Sequence, residues 1–187
     1  LSTPVTGVKR EKEAVVVSSA QGEERYDAVF FACHSDQALR LLEQPTASEQ
    51  QVLGAIKYQE NEVLLHTDAS ILPKRKTAWA AWNYHLLEND QGQVPVTYNM
   101  NILQGLDADQ TFCVTLNNSN AIDQTKVLKR LQYHHPIYTQ ESVAAQARQS
   151  EINTDRLYFC GAYWRYGFHE DGVVSALNAI EKFKRDL

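Results

Sequence analysis

Glycine is the first thing this chain is short of. Its eight glycines are Gly7, Gly22, Gly54, Gly92, Gly105, Gly161, Gly167 and Gly172, and no three stand at the one-three-six spacing that lets a backbone loop close on a pyrophosphate. Cysteine is also scarce and odd in number. Cys33, Cys113 and Cys160 each sit in an apolar, strand-like run, which predicts reduced core residues rather than a disulfide set or a metal cluster. No apolar run approaches the ~18 residues of a membrane span. Positive charge is thin as well. A net charge of −5, with dense cations only at Lys74-Arg75-Lys76 and Lys182 to Arg185, excludes the concentrated basic face that nucleic-acid binding needs. The start lacks the charged-then-apolar layout of a signal peptide, so the expected location is cytoplasmic. Leu1 stands in mid-pattern, which suggests a piece of a longer protein.

What is present suits a folded chain. With 187 residues, 43% hydrophobic and 22% charged, it can bury one substantial core or two small ones. Strands are expected at Glu13 to Ser19 and Tyr26 to Ala32, joined as a hairpin by Gln21-Gly-Glu-Glu24. Ser35 is expected to cap a short helix carrying Ala38, Leu39, Leu41 and Leu42. Thr46-Ala-Ser-Glu49 has the capping-box pattern and opens a second helix with Val52, Leu53 and Ile56. Period-two runs then predict strands at Glu62 to Thr67, Thr77 to Tyr84, Val94 to Asn101 and Phe112 to Asn117, with a polar turn from Glu88 to Gln93. Four such strands suggest an antiparallel sheet with one buried face. Asp123 to Leu131 reads as helical, and Glu141 to Gln149 as a short alanine-rich segment.

The most informative stretch runs from Arg156 to Asn178. Leu157 to Cys160 is a short apolar run suited to a buried strand. Gly161 and Gly167 free the backbone after it, and His169-Glu-Asp-Gly172 opens a helix with apolar positions at Val173, Val174, Leu177, Ile180 and Phe183. A helix start reached through a glycine loop presents unpaired N–H groups and the positive end of a dipole, which suits a phosphate, a ribityl hydroxyl or an electron-rich ring edge. An ordinary strand-to-helix junction reads the same way on spacing alone.

Other candidate chemistry is sparse. His66-Thr-Asp68 could pair a base with an orienting carboxylate, although Asp68 falls in a turn. His134 and His135 precede Pro136, whose extended backbone points adjacent imidazoles to opposite faces, so no metal site is expected there. Cys33 beside His34 invites a thiolate–imidazole pair, but adjacent residues at a strand end normally diverge, and a buried cysteine beside a helix cap is the commoner account. Trp79, Trp82, Tyr84 and Tyr98 could line an apolar pocket, with sheet core as the commoner use.

Tyr26-Asp-Ala-Val-Phe-Phe-Ala-Cys-His34, Leu65-His-Thr-Asp68, Trp79-Ala-Ala-Trp-Asn-Tyr84 and Phe159-Cys-Gly-Ala-Tyr-Trp-Arg-Tyr-Gly-Phe-His-Glu-Asp-Gly172 together resemble the flavin-containing, monoamine-oxidase-like amine oxidoreductases, bacterial FAD-dependent members above all. The likeness runs through nearly the whole chain, and only the last motif is specific. It implies an α+β fold: an antiparallel-sheet substrate domain with helices, at residues 36–150, flanked by parts of a discontinuous FAD/NAD(P)-binding domain. The returning hairpin and strand would be residues 1–35, and the closing strand and helix 151–187. The glycine-rich βαβ that grips the ADP has no counterpart here, so the chain resembles a C-terminal portion, expected to be inactive alone and to bind FAD weakly or not at all.

By the same resemblance, backbone groups near Val5 and Val8 would meet the adenine side. Gly161 and Ala162 would lie beside the ribityl-pyrophosphate end, and His169, Glu170, Asp171, Gly172 and Val173 near the isoalloxazine. Backbone N–H groups from Asp171 to Val173 would stabilise the reduced, anionic ring. Tyr163, Trp164, Tyr166 and Phe168 offer aromatic cover. Asn61 stands where these enzymes usually carry a lysine, and no catalytic residue is assigned. The implied activity is oxidation of a small amine or lipid-like substrate by hydride transfer to FAD. The alternatives are a related FAD-dependent desaturase or porphyrinogen-oxidase-like enzyme, a non-catalytic apolar-ligand-binding domain, and an interaction module. A homo-oligomer is compatible with each.

Overall fold

The computed structural model describes residues 1–87 and 92–186; residues 88–91 of the expected polar turn, and Leu187, lie outside them. The chain divides into two compact units, Leu1–Tyr58 with Pro136–Leu187, and Gln59–His135. Among the described residues no helix is long and apolar enough to cross a membrane.

The first unit opens with an antiparallel meander of β1 (Val5–Arg10), β2 (Val15–Ser19) and β3 (Gly22–Tyr26). The expected hairpin is therefore displaced. Ser19 pairs with Gly22, so the turn is Ala20-Gln21, and Gly22 to Glu24 form strand instead of loop. The φ of +116° at Gly22 is one that a side chain would resist, which is why the chain can reverse so tightly there. Next, β4 (Val29–Phe31) leaves the meander altogether and pairs in parallel with β10 (Leu157–Phe159), tying together segments more than a hundred residues apart.

Helix α1 (Ser35–Leu41) has His34 at its N-cap, not Ser35. Ser35 is instead buried, its hydroxyl between the Ile56 carbonyl at 3.4 Å and the Tyr58 hydroxyl at 3.3 Å. Helix α2 (Ala47–Ala55) starts as its sequence predicts. The Thr46 hydroxyl accepts from the Glu49 N–H at 3.2 Å, and the Glu49 carboxylate accepts from the Thr46 N–H at 2.7 Å. Buried Glu49 also pairs with Arg10, fastening the helix to β1. Helices α4 (Gln140–Gln146) and α5 (Gln149–Ile152) follow the second unit in sequence, and α6 (His169–Asp186) closes the chain. One face of β4 and β10 buries Phe31, Leu157 and Phe159 with Ala38, Val52 and Leu53; the other meets α6 through Tyr158, Cys160, Ala179 and Phe183.

The second unit is a five-stranded sheet in the order β6-β7-β8-β5-β9: β5 (Tyr58–His66), β6 (Trp82–Tyr84), β7 (Val96–Asn99), β8 (Cys113–Leu116) and β9 (Val127–Pro136). The β6-β7-β8-β5 pairings are antiparallel, as the alternation predicts. Three expectations fail locally. Lys76–Ala78 is a 3-10 turn, so only the end of the run at Thr77 to Tyr84 is strand. Met100–Gln104 turns into a short helix, α3, because the Asn99 side chain accepts from the Ile102 N–H and Gly105 closes it in the left-handed region. The helix expected from Asp123 to Leu131 is absent. Asp123 caps a single 3-10 turn at Gln124–Lys126, and the chain then runs as β9.

Candidate functional site

The loop between β10 and α6 is held by side chains from the helix it enters. The Gly161 N–H donates to the Ser175 hydroxyl at 2.9 Å, and that hydroxyl donates to the Gly172 carbonyl at 2.8 Å. One Asp171 carboxylate oxygen accepts from the Tyr166 N–H at 3.2 Å and the Phe168 N–H at 3.0 Å, and Arg165 approaches the other at 3.7 Å. The Gln146 amide donates to the Tyr163 carbonyl at 2.9 Å. Gly161 has φ +156°, and a Cβ there would overlap the buried Tyr163 ring. At Gly172 a Cβ would stand 3.8 Å from the Ala162 nitrogen, so helix and loop approach backbone to backbone.

This arrangement brings together most, not all, of the candidate residues. Gly161, Ala162, Asp171 and Gly172 interlock as described, with His169, Glu170 and Val173 exposed around them. Val5 and Val8 belong to β1: Val5 is exposed, while Val8 is buried and its carbonyl accepts from the Glu43 N–H at 3.0 Å. The Gly172 N–H donates within the helix, to Phe168 at 3.3 Å. The donors an α-helix leaves without an intrahelical acceptor are therefore those of His169, Glu170 and Asp171, two residues earlier than the expected Asp171 to Val173. That exposed end can receive an anion or an electron-rich ring edge. Two concavities lie elsewhere: one of about 770 Å³ in the first unit, beside α2 and α4, and one of about 450 Å³ in the second, lined by Glu60, Glu62, His85, Gln93 and Asn117 among others.

The second unit carries two contrasting sheet faces. On one, Trp82 and Tyr98 meet edge to face with centroids 5.2 Å apart, near Tyr84. Trp82 and Tyr84 are 54% and 60% exposed, so this aromatic set is not sheet core. The expectation fails because the buried face is the polar one. There His66 Nε2, Thr115 Oγ1, Thr97 Oγ1 and His85 Nε2 form a chain with every step at 2.8 Å. His66 Nδ1 accepts from the Asp68 backbone N–H at 3.1 Å, which leaves Nε2 as the protonated nitrogen. His66 Nε2–H then donates to the Thr115 hydroxyl, and either threonine can donate across the step between them. Burial holds both imidazoles below their usual pKa, opposed at His66 by the Asp68 charge.

His66 and Asp68 are thus no base-and-carboxylate pair. The Asp68 carboxylate accepts from the Asp123 N–H at 2.9 Å, the Ser70 hydroxyl at 2.8 Å, the Ser70 N–H at 3.2 Å and Lys126 at 3.3 Å. Burial alone would raise its pKa, but these donors hold it well below the usual carboxylate range. Asn61 is also fully engaged, donating to His135 Nδ1 at 2.9 Å and accepting from Asn117 at 2.7 Å. His34 stacks on Tyr58, and burial raises the Cys33 thiol. All three cysteines are free.

No protein-family model matches the sequence, and no curated protein does. Solved structures do. A protein assigned as a protoporphyrinogen oxidase from Exiguobacterium sp. 255-15 superposes with a TM-score of 0.68 at 14% identity, over 99% of this chain and 47% of that one. A cyclohexylamine oxidase from Brevibacterium oxydans IH-35A gives 0.56 at 12%, over 97% and 48%. A CLA-producing fatty acid isomerase from P. acnes gives 0.59 at 12%, over 97% and 47%. The likeness is one of fold. This chain spans about half the length of each structure, and their differing reactions show that the fold alone does not select a chemistry.

The histidine–threonine chain is what sequence reasoning missed. Its four members are scattered over β5, β8, β7 and the residue after β6, and only strand register brings them into line. The signal that was available is threonine at alternate positions inside otherwise apolar strands, Thr97 after Val96 and Thr115 after Val114.

Proposed function

We propose that this chain is the C-terminal portion of an FAD-dependent oxidoreductase of the amine-oxidase-like kind. The observation that carries the reading is the β10–loop–α6 unit: an exposed helix start held against its preceding loop by Asp171 and Ser175. The parallel pairing of β4 with β10 supports a discontinuous domain made from residues 1–35 and 151–187, with the substrate domain between them.

The residues fit one end of the cofactor. His169, Glu170 and Asp171 would offer N–H donors to the polar edge of the flavin ring. FAD, when bound, accepts a hydride from the substrate. Asp171 would keep the loop from Tyr166 to Phe168 in place, and Tyr166 and Phe168, both exposed, would exclude water from the ring. No pyrophosphate-gripping loop accompanies them, so residues 1–187 bind FAD weakly or not at all. The substrate is a small amine or a lipid-like molecule, and the location is cytoplasmic.

Flavin absorbance decides the matter. Residues 1–187 titrated with stoichiometric FAD should show little bound flavin, and the same chain extended by the polypeptide encoded upstream should bind FAD and bleach with an amine or lipid-like substrate. Tight binding by residues 1–187 would contradict the half-site reading; bound FAD that no substrate bleaches would contradict the oxidase reading.

A second reading rests on the pairing of exposed Trp82 with half-buried Tyr98: an apolar-ligand platform without redox chemistry. Quenching of Trp82 fluorescence by apolar ligands in the absence of flavin, abolished in Trp82→Leu, would favour it.

A further inference from the structure

One end of the five-stranded sheet is marked by a row of residues across four strands. His66 pairs with Cys113, Cys113 with Asn99, and the Asn99 N–H donates to the Ala81 carbonyl at 3.0 Å. The chain enters and leaves this unit at Gln59 and His135, the far ends of β5 and β9. Three segments continue beyond the row. Helix α3 leaves from β7, residues 73–80 lead into β6 on one side of it, and residues 106–112 lead into β8 on the other. Both flanking segments are held in place. The Trp79 indole N–H donates to the Pro73 carbonyl at 2.8 Å, and Lys76 Nζ stands 5.7 Å from the centre of that ring. On the other flank the Asn101 side chain donates to the Gln110 carbonyl at 2.9 Å and accepts from the Phe112 N–H at 2.8 Å, while the Leu106 N–H donates to the Asn101 carbonyl at 2.9 Å.

What these segments present is ordered by charge. Lys74, Arg75 and Lys76, all exposed, belong to the β6 side. Ile102, Leu103 and Leu106, on α3 and just after it, are 49%, 44% and 39% exposed. Asp107 and Asp109, both exposed, belong to the β8 side. Among the described residues none of these five charges is ion-paired. Cation, apolar centre and anion in a line make a self-complementary surface. A two-fold axis through α3, lying in the plane of contact, returns the apolar centre to itself and exchanges the flanks, so the cations of one copy meet the carboxylates of the other at both ends. An anionic lipid surface would match the cations but repel Asp107 and Asp109.

We infer that this end of the sheet is an interface between two copies of this chain. Ile102, Leu103 and Leu106 pack against the same residues of the second copy, and the Lys74-Arg75-Lys76 loop faces the second copy's Asp107 and Asp109. The inference stands on strand order and charge placement in the second unit and is independent of the flavin reading.

Sedimentation equilibrium of this chain without flavin tests it. A reversible dimer is expected, weakened by added salt because its flanking charges are exposed. Leu103→Glu should weaken the dimer at least about tenfold, whereas Leu177→Glu, on the exposed side of α6, should leave it unchanged. The decisive test exchanges charge. Lys74→Glu with Arg75→Glu and Lys76→Glu makes both flanks acidic, and Asp107→Lys with Asp109→Lys makes both basic. Each of these variants, with circular dichroism unaltered, should be monomeric alone, and the two mixed should form a one-to-one heterodimer. A chain that stays monomeric, a dimer dissolved by Leu177→Glu, charge variants that dimerise as before, or charge variants that fail to pair when mixed would each overturn the proposal. Co-sedimentation of a monomeric chain with phosphatidylglycerol vesicles, lost in Leu103→Glu, would overturn it in favour of a lipid surface.

Discussion

The hydroxyl oxygens of Thr97 and Thr115 lie 2.8 Å apart across β7 and β8, and each carries a buried imidazole at its other side. Hydrogen bonding therefore runs unbroken from the Asp68 N–H, through His66 and both threonines, to His85. Thr115→Val keeps the shape but removes the acceptor for His66 Nε2–H. Leaving that donor buried without a partner should cost about 1–3 kcal/mol in urea denaturation. Thr97→Val with Thr115→Val should cost less than the sum of the two, since both changes break one chain.

The same chain makes stability fall on the acid side of neutrality. Unfolded imidazole titrates near pH ~6.5, and burial lowers both His66 and His85 below that. Above that pH both are neutral in either state and their contribution is complete. As pH drops below it, the unfolded chain binds protons first, so stability declines until the folded pKa values are reached. Melting temperature should fall between pH 7 and pH 5, with a shallower fall in His85→Gln.

Asp68 governs a lower window. Its folded pKa is depressed, so its contribution is present above the unfolded carboxylate value of about 3.9 and is lost as pH falls through the acid range. Asp68→Asn replaces one acceptor oxygen with a donor facing the Ser70, Asp123 or Lys126 donors. A loss of about 2 kcal/mol at pH 7, with a flattened acid limb, is expected from denaturation series at several pH values.

Two glycines near α6 should separate cleanly. Gly161→Ala places a methyl against the Tyr163 ring at a φ that disfavours side chains, and should destabilise by about 1–3 kcal/mol. Gly172→Ala meets Ala162 only at van der Waals distance, and its helical position should make it neutral or stabilising by up to about 1 kcal/mol. Thermal melts of the two variants check the contrast.

Asp171 is the clasp of the loop before α6. Asp171→Ala removes the acceptor for the N–H groups of Tyr166 and Phe168. Amide exchange at these two positions should accelerate at least tenfold, while exchange in β10 stays unchanged.

Where local chemistry decides the structure, the sequence was legible. The Thr46–Glu49 box, the apolar run of β10 and the apolar spacing of α6 all depend on neighbours within a turn or two. Readings failed where position within a sheet decides. Val127, Leu128 and Leu131 fit a helical stripe, but β9 is the last strand of its sheet and mostly exposed, so no period-two burial marks it. Apolar side chains usually turn inward, yet the aromatic face of β6 and β7 is the outer one. Register instead turned Asn83, Thr97 and Thr115 inward, where they satisfy one another and buried histidine. For the candidate site, the glycine-bearing loop was visible as a pattern, whereas the work of Asp171 and Ser175 in fixing it was not.

The amide side chains along the outer margin of β10 also limit how the molecule can associate. Because Asn153 and Gln149 already occupy its outward hydrogen-bonding groups, a strand arriving there would find no vacant ladder. Growth of this sheet is possible only from β4. Strand addition, the hazard of open sheets, can therefore proceed from one end of this sheet and not from the other.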